Sequence, residues 1–110
     1  MERFIKGTVV VIPFPFSDLS NIKKRPALIL ADLPDDDILL CQITSQPHNE
    51  ATALALTASH FVSGSLPVSS FIRPTRIFTA SKHIILRKAG TISHALMNNV
   101  TEYVVSVLKK

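Results

Sequence analysis

The sequence contains little cysteine and little glycine, and each shortage excludes a class of protein. Cys41 is the single cysteine among 110 residues, so an internal disulfide framework and a cysteine zinc cluster are both excluded. It stands in a mostly apolar segment, which predicts a small buried core residue. Only three glycines are present, too few for a phosphate-binding loop made of backbone amides. Neither a P-loop motif nor a G-x-S-x-G motif occurs.

Metal-ligand spacing and long apolar runs are missing as well. The four histidines form no H-x-H, H-E-x-x-H or Cys–His pattern, so we expect no metal ion and no other cofactor. The amino-terminal apolar run is short and is broken by Pro13 and Pro15, which does not fit a signal peptide. No stretch approaches the length of a membrane span. We therefore expect a cytoplasmic protein with no membrane partner.

Positive charge is absent from the middle of the chain. Residues 26–72 contain no Lys or Arg and carry a net charge of −5, whereas residues 1–25 carry +3 and residues 73–110 carry +6. The total of +4 permits a nucleic-acid partner but does not require one. If the fold joins the two basic segments, they form a positive surface suited to a polyanion. The alternative is a scatter of solvated basic side chains.

The residues that are present predict one small β-rich domain over residues 1–110. A hydrophobic fraction of 46% is enough for a core, and the length leaves no room for a second domain. Short apolar runs bounded by turn residues predict strands over residues 8–12, 25–31, 38–44, 51–57 and 69–78. Pro74 makes the last of these an edge or bulged strand. Residues 60–67 are predicted to form a loop, and residues 84–86 a short strand or turn.

The carboxyl-terminal segment carries the clearest helical pattern. Apolar side chains recur at helical spacing from Leu96 to Val107, after Ser93 or Thr91 as the candidate N-cap. Two lysines at the end suit the negative end of the helix dipole. Five or six short strands followed by one amphipathic helix predict a small β-barrel or half-barrel, with the helix closing one end.

A candidate anion site follows from the pairing of two predicted strands. A short turn joins residues 25–31 to residues 38–44, so the strands should pair antiparallel, with the start of the first beside the end of the second. This pairing places Arg25 near Thr44 and Ser45. A guanidinium beside hydroxyl groups can hold the oxygens of a phosphate. The alternative is that Arg25 is an ordinary strand-edge cation and Thr44 an ordinary strand residue.

Five blocks of sequence, in order and at ordinary spacing, carry a family resemblance. They are PFPFSDL at 13–19, KRPALIL at 24–30, ITSQ at 43–46, SFIRP at 70–74 and GTI at 90–92. Together with the Lys6-Gly7 pair and the closing helix, they resemble the MazF/PemK toxins, which are the ribonuclease toxins of bacterial toxin–antitoxin pairs. The resemblance covers nearly the whole chain.

This resemblance implies an SH3-like barrel with a C-terminal helix, a MazF/CcdB-like toxin fold that acts as a homodimer. It implies cleavage of single-stranded RNA at short sequences without a metal ion, and silencing by a cognate antitoxin. The family's catalytic arginine falls on Arg25 and its catalytic threonine or serine on Thr44, helped by Ser45. An arginine that some members also use falls on Arg73. Some members have an acid two residues later, where this chain has Thr75.

The expected chemistry is attack by the internal 2′-hydroxyl, which gives a 2′,3′-cyclic phosphate and a 5′-hydroxyl end. This attack needs a base, an acid and stabilisation of the phosphorane charge. Arginine stays protonated at neutral pH, so Arg25 is expected to stabilise the phosphorane and to protonate the leaving oxygen. Thr44 is expected to hold a non-bridging oxygen. His48 is a candidate for the base.

Several further residues are expected to bind RNA: Lys23, Lys24, Gln46, Arg73 and Phe16. The phenylalanines at 14 and 16 can stack on bases beside the basic run, or they can cap the barrel or line the dimer contact. Arg87 and Lys88 are expected to face solvent, and RNA binding is the alternative role for them. Two other functions stay open, which are a CcdB-like toxin that binds DNA gyrase and cleaves nothing, and a catalytically silent relative that binds RNA or antitoxin.

Overall fold

The computed structural model describes residues 4–14, 23–46 and 52–110, which form a seven-stranded antiparallel sheet and a C-terminal helix. The strands are β1 (Thr8–Phe14), β2 (Lys23–Asp32), β3 (Asp37–Thr44), β4 (Leu54–Leu56), β5 (Phe61–Gly64), β6 (Ser70–Ser81) and β7 (Arg87–Ile92). The helix α1 spans His94–Leu108. The strand order across the sheet is β4-β6-β3-β2-β1-β7-β5, so β1, β2 and β3 lie at its centre.

Both faces of the curled sheet are buried at its centre, because the central strands carry apolar residues at consecutive positions. The helix-side core, on the face under α1, includes Val9, Leu28, Cys41, Ile43, Ile72, Leu96, Met97 and Val100. The second core, on the opposite face, includes Val10, Ile12, Ala27, Ile29, Ile38 and Leu40, with Phe14 and Phe78 packed against it. This arrangement confirms the predicted mainly β half-barrel with its closing helix.

A tight turn with successive aspartates joins β2 to β3. Asp35 and Asp36 have φ angles of 61° and 64°, and the Asp37 N–H donates to the Pro34 carbonyl oxygen at 3.3 Å. Two successive left-handed residues define a type I′ turn, whose twist matches that of the strands it joins. The acidic turn lies at the end of the hairpin opposite to Arg25.

The strand β6 is bulged where proline interrupts it. Gln42 of β3 pairs with Arg73, whereas the preceding Cys41 pairs with Ile77, so residues 74–76 form the bulge. Proline has no N–H to donate to a neighbouring strand, and a bulge removes that requirement. The prediction of an edge or bulged strand is confirmed in its second form, since β6 lies between β4 and β3.

The prediction of a loop over residues 60–67 is wrong for residues 60–64 and is confirmed for residues 65–67, which belong to no helix or strand. Residues 58–60 form a short 3-10 turn, and residues 61–64 form β5, which pairs with β7 at one edge of the sheet. Gly64 has a φ of +70°, and a Cβ atom there would collide with the Ala89 carbonyl oxygen. This glycine permits the close approach of β5 and β7. In the sequence, a glycine followed by serine and proline predicts a loop instead.

Two other segments differ from the sequence prediction in their extent. Of the strand expected over residues 51–57, only Leu54–Leu56 is a strand, and Ala51 lies outside the described residues. The element expected at residues 84–86 is instead a 3-10 turn at Lys82–Ile84, and the strand β7 begins after it. Alternation of alanine with larger residues and a run of isoleucines are weak signals, since both occur in strands and in turns.

The helix α1 begins where the sequence predicts. The Ser93 Oγ accepts a hydrogen bond from the Leu96 N–H at 3.3 Å, which is the N-cap contact. Leu96, Met97 and Val100 are buried against the sheet. Within the described part of the chain, no helix combines the length and the apolar character needed to cross a membrane.

Candidate active site

The candidate catalytic residues meet at the end of the sheet where β2 begins and β3 ends. The two strands pair antiparallel, with Ala27 opposite Gln42 and Leu28 opposite Cys41. Continuing this register by two residues brings Arg25 level with Thr44. Arg25 is exposed and Thr44 is half-buried. The hairpin thus brings together the two residues that the sequence places side by side, while their catalytic roles stay predictions.

Arg25 and Thr44 also share one face of the sheet. Successive side chains along a strand point to opposite faces. Ala27 of β2 and Leu40 of β3 both belong to the second core, and they stand at even spacings from Arg25 and Thr44. Both candidate residues therefore lie on the face of the second core, beyond the edge of its apolar packing. The guanidinium and the hydroxyl are available to one ligand at this edge.

The Thr44 side chain is held by the chain that follows it. Its Oγ1 accepts a hydrogen bond from the Gln46 N–H at 3.1 Å. This local bond turns the backbone out of the strand and fixes the position of the hydroxyl oxygen. Because that oxygen serves as an acceptor, its own O–H can still donate to a phosphate oxygen. Gln46 itself is exposed and lies at the mouth of the site.

Arg73 reaches the same face from β6. It pairs with Gln42, and its Nη1 donates to the Gln42 Oε1 at 3.2 Å. Gln42 stands two residues from Thr44 on β3, so Arg73 lies one row of side chains away from the Arg25–Thr44 row. Arg73, the second arginine of the predicted site, is therefore placed close to Arg25, while its own role stays a prediction.

A pocket of about 370 Å³ opens at the same end of the sheet, and it is lined by basic and hydroxyl side chains. Its polar lining consists of Lys24, Arg25, Ser45, Ser70 and Arg87. Its apolar wall includes Pro26, Ile43 and residues 66–68. Among the described residues that line it there is no carboxylate, so the pocket favours an anionic ligand with an apolar part.

Arg87 is exposed, as the sequence predicts, but its place in the lining of the pocket was not predicted. It is the first residue of β7 and lies opposite Val11 of β1, which carries it to the wall of the pocket. Val11 and Arg87 are 76 positions apart in the sequence, and no local motif predicts that they pair. Only the charge pattern gives a signal, because Arg87 belongs to the basic segment that was expected to meet residues 1–25.

The remaining predicted residues are divided between the described and the undescribed parts of the chain. Lys23 is exposed at the start of β2, opposite Phe14. The Phe14 ring packs on Phe78 with a centroid distance of 5.2 Å, which agrees with a barrel-capping role. Phe16 and His48 lie outside the described residues. The His, Cys, Asp and Glu side chains of the described ranges form no group of three or more that could hold a metal ion.

Comparison with known proteins identifies the family to which this chain belongs. Residues 5–108 match the family model described as PemK-like, MazF-like toxin of type II toxin-antitoxin system. Because the match spans nearly the whole chain, the chain belongs to this family of toxins. No curated protein matches the chain in sequence.

Solved structures of such toxins share the fold at low sequence identity. MazE–MazF from Deinococcus radiodurans superposes with a TM-score of 0.76 at 17% identity, covering 96% of this chain and 95% of that one. An endoribonuclease in complex with its cognate antitoxin, from a mycobacterial species, gives 0.73 at 17%, covering 96% and 94%. The Mycobacterium tuberculosis toxin MazF-mt6 gives 0.71 at 16%, covering 93% and 96%.

Proposed function

We propose that this chain is a cytoplasmic endoribonuclease toxin that cleaves single-stranded mRNA at short sequences without a metal ion. The observation that carries the proposal is the register of β2 and β3, which brings Arg25 level with Thr44 on one face of the sheet. Membership of the toxin family supports it, as does the presence of the same fold in proteins described as endoribonucleases.

The proposed reaction is transfer of the phosphodiester to the neighbouring 2′-hydroxyl. The 2′-oxygen attacks phosphorus and the bond from phosphorus to the 5′-oxygen breaks, which leaves a 2′,3′-cyclic phosphate and a 5′-hydroxyl. Arg25 binds two oxygens of the phosphorane through its planar guanidinium and donates a proton toward the leaving 5′-oxygen. Thr44 donates its hydroxyl to a non-bridging oxygen. Ser45 supports the same phosphate from the pocket side.

Removal of the proton from the 2′-hydroxyl needs a base, and the candidate is His48. An imidazole is neutral in part near pH 7, so it can accept this proton. The residue follows Thr44 by four positions, and it lies outside the described residues. The test of its role is the pH dependence of cleavage by a His48→Gln variant, which should lose the acidic limb of the wild-type profile.

The basic pocket is the proposed path of the RNA strand away from the cleaved phosphate. Lys24 and Arg87 line it together with Arg25, and Lys23 and Gln46 are exposed at its end of the sheet. Each basic side chain that contacts a phosphate adds affinity that weakens with salt. The apolar wall of proline and leucine side chains offers a surface for the flat face of a base.

The proposed protein partners are a second copy of this chain and a cognate antitoxin. A cognate antitoxin is supported by the solved complexes that share this fold, including MazE–MazF of Deinococcus radiodurans. A homodimer is supported by exposed apolar residues beside α1, which include Leu108 at 77% exposure and Val105 at 41%. The antitoxin proposal can be tested in bacterial cells. Expression of this chain should arrest growth, and co-expression of a neighbouring antitoxin gene should restore it.

The experiment that tests the catalytic proposal uses purified protein and a long single-stranded transcript in the presence of EDTA. Wild-type protein should cut the transcript at discrete sites, and Arg25→Ala should reduce the rate at least about 100-fold, as for loss of an oxyanion-binding group. Arg87→Ala should weaken RNA binding. The slope of log K for RNA binding against log salt concentration should fall in magnitude by about one, as for the loss of one phosphate contact.

A matched control separates the site from general loss of charge. Lys109→Ala removes one positive charge at the end of α1, next to Leu108, which lines a different groove from the pocket that contains Arg25. This variant should cleave as wild type does. No cleavage by wild-type protein, or equal cleavage by Arg25→Ala, would show that the proposal is wrong. RNA binding without cleavage would favour a catalytically silent relative.

A further inference from the structure

A second groove, separate from the candidate active site, lies at the amino-terminal end of α1. It has a volume of about 490 Å³ and is called here the Val62 groove, with a lining that includes Ile5, Lys6, Val62, Ile92, His94 and Met97. None of the described residues that line it also lines the pocket of Arg25. A ligand in the Val62 groove would therefore leave the candidate active site open.

Apolar side chains of this groove are open to solvent. Ile5 is 52% exposed and Val62 is 68% exposed. Ile92 and Met97, which are buried, line the same groove, so its interior is apolar as well. An apolar surface that stays open to water is stabilised by a partner that covers it.

Val62 reaches the groove because β5 is bulged at this residue. Phe61 pairs with Ile92, and Ser63 pairs with Thr91. Ile92 and Thr91 are neighbours on β7, so Val62 is the extra residue of a β-bulge. Phe61 packs against the helix-side core, and a regular strand would point Val62 to the opposite face. The bulge turns the Val62 side chain toward the groove instead.

A tight turn before β1 holds Lys6 at the same groove. The Thr8 N–H donates to the Ile5 carbonyl oxygen at 3.1 Å, and Gly7 has a φ of +93°. A positive φ at the third position of a turn favours glycine, and Lys6 occupies the second position. The Gly7 N–H also donates to the Ile29 carbonyl oxygen at 2.9 Å. The Lys6-Gly7 pair of the sequence therefore fixes the backbone from which the ammonium group extends.

The charge beside the groove is positive. Lys6 is exposed and forms no ion pair with a described residue, and the described lining contains no Asp or Glu. His94 and Asn98 are exposed beside it and carry N–H donors. This combination suits a carboxylate next to apolar side chains. It suits RNA less well, because a row of phosphates would meet a single lysine.

The groove also lies along an open edge of the sheet. Among the described strands, β5 is the last at its edge and pairs only with β7. An edge strand leaves backbone N–H and C=O groups without a strand partner, and extended peptides bind at such edges. We propose that the Val62 groove docks an extended peptide segment of a partner protein. Apolar side chains of the segment enter the groove, and a carboxylate of the segment contacts Lys6.

The test measures the binding of short fluorescent peptides by fluorescence anisotropy. One peptide alternates leucine with glutamate, and the other has lysine in place of each glutamate. The wild-type protein should bind the glutamate peptide at least about tenfold more tightly. Val62→Asp should lower that affinity at least about tenfold, because it places a charge in the apolar contact. Lys6→Ala should lower it about threefold and make it less dependent on salt.

Matched control variants separate the groove from general changes of the surface. Leu86→Asp makes the same kind of change at a side chain that is 52% exposed and does not line the groove, and Lys110→Ala removes a charge at the end of the chain. Both should bind the glutamate peptide as wild type does. Thermal unfolding checks that each variant is folded, and Val62→Ser serves if Val62→Asp is unstable.

Peptide binding at this groove and RNA cleavage can fail separately. Tight binding of the glutamate peptide that is lost in Val62→Asp and kept in Leu86→Asp supports the docking surface. No binding, equal binding of the two peptides, or an equal loss in Leu86→Asp overturns it. Self-association of the chain that Val62→Asp abolishes, without peptide binding, would show that a second copy occupies the groove and would overturn the peptide. A wild type that binds the peptide but leaves RNA intact overturns the cleavage proposal alone.

Discussion

Arg25 combines a fixed backbone with an exposed side chain. Its strand is paired on one side with β1, where Ile12 lies opposite, and the chain continues directly into the buried residues of both cores. A side chain that starts from such a rigid base loses little entropy when it binds a phosphate. Such a rigid base suits the catalytic role that we propose for Arg25.

Arg25→Lys tests whether the planar guanidinium is needed. A lysine keeps the charge but presents a point charge in place of a two-pronged donor, so we expect cleavage to fall about 100-fold. Unfolding should change little, because the side chain is exposed. The measurement is the initial rate of cleavage, with a thermal unfolding curve as the control. Near-normal cleavage by the lysine variant would rule out the two-pronged contact.

Cys41 provides a test of core burial. Burial raises the pKa of its thiol from 9.0 to about 12, because the thiolate is poorly stabilised in an apolar environment. The folded thiol should therefore resist thiol-specific reagents at pH 8 and react once the protein is unfolded. Rapid labelling of the native protein at pH 8 would contradict the burial of Cys41.

The same thiol makes the free energy of unfolding depend on pH. Below pH 9.0 both states hold the proton, so Cys41 adds no pH dependence. Between pH 9.0 and about 12 the unfolded chain loses the proton first, so stability should fall with rising pH, by about 1.4 kcal/mol per unit. Comparison of urea unfolding for wild type and Cys41→Ala isolates this contribution. An identical slope in both proteins would contradict it.

At the scale of elements, the β2–β3 hairpin positions the candidate site. We expect that residues of its turn can be substituted without loss of cleavage. Asp35 and Asp36 both occupy left-handed backbone, a conformation that costs most residues about 1–2 kcal/mol. The turn is at the far end of the hairpin from Arg25. Stability and activity should therefore respond separately to substitutions in the turn.

Asp36→Gly should stabilise the protein and leave cleavage unchanged. Glycine adopts a positive φ without strain, and Asp-Gly is a preferred pair in type I′ turns. We expect a gain of about 1 kcal/mol in the free energy of unfolding. The exposed contact between Asp36 and His83 at 3.7 Å is lost, at little cost. A loss of stability would show that this turn conformation is wrong.

Much of this hairpin could be predicted from the sequence, because the residues that determine its pairing are close together in the chain. Two apolar runs joined by turn residues fix an antiparallel pairing, and that pairing places Arg25 beside Thr44. The prediction failed where the contacts are distant in sequence. The pairing of β5 with β7 and the position of Arg87 opposite Val11 depend on how the sheet curls, which no local pattern encodes. The Gln42–Arg73 bond likewise depends on the register of β3 against a bulged strand.

On the scale of the whole molecule, the fold sorts charge to opposite ends of the central hairpin. The two basic segments of the sequence meet at the pocket, which is lined by Lys24, Arg25 and Arg87. The acidic turn is at the other end, where Asp32 forms an ion pair with Lys82 at 2.8 Å. A modest net charge is therefore arranged so that one end of the molecule carries a positive surface, which is the surface that we propose binds RNA.

The apolar groove beside α1 predicts a dimer of this chain. The groove of about 230 Å³ is lined by Leu30, Ile77, Val105 and Leu108 among others. Leu108→Asp should weaken dimerisation more than tenfold, because a charge would replace an exposed apolar side chain that the proposed dimer buries. Light scattering should give twice the 12.1 kDa chain mass for wild type and a lower mass for the variant. Lys110→Asp, which changes charge without removing apolar area, is the control. A monomeric wild type at micromolar concentration would contradict the dimer.

The most direct test of the proposed chemistry is cleavage of an RNA in which one 2′-hydroxyl, at the mapped cut site, is replaced by hydrogen. If the internal 2′-hydroxyl is the nucleophile and Arg25 and Thr44 stabilise its attack, this RNA should bind the wild-type protein and stay intact. The unmodified RNA should give cyclic-phosphate and 5′-hydroxyl ends in the same buffer. Cleavage of the 2′-deoxy RNA at that site would contradict the mechanism.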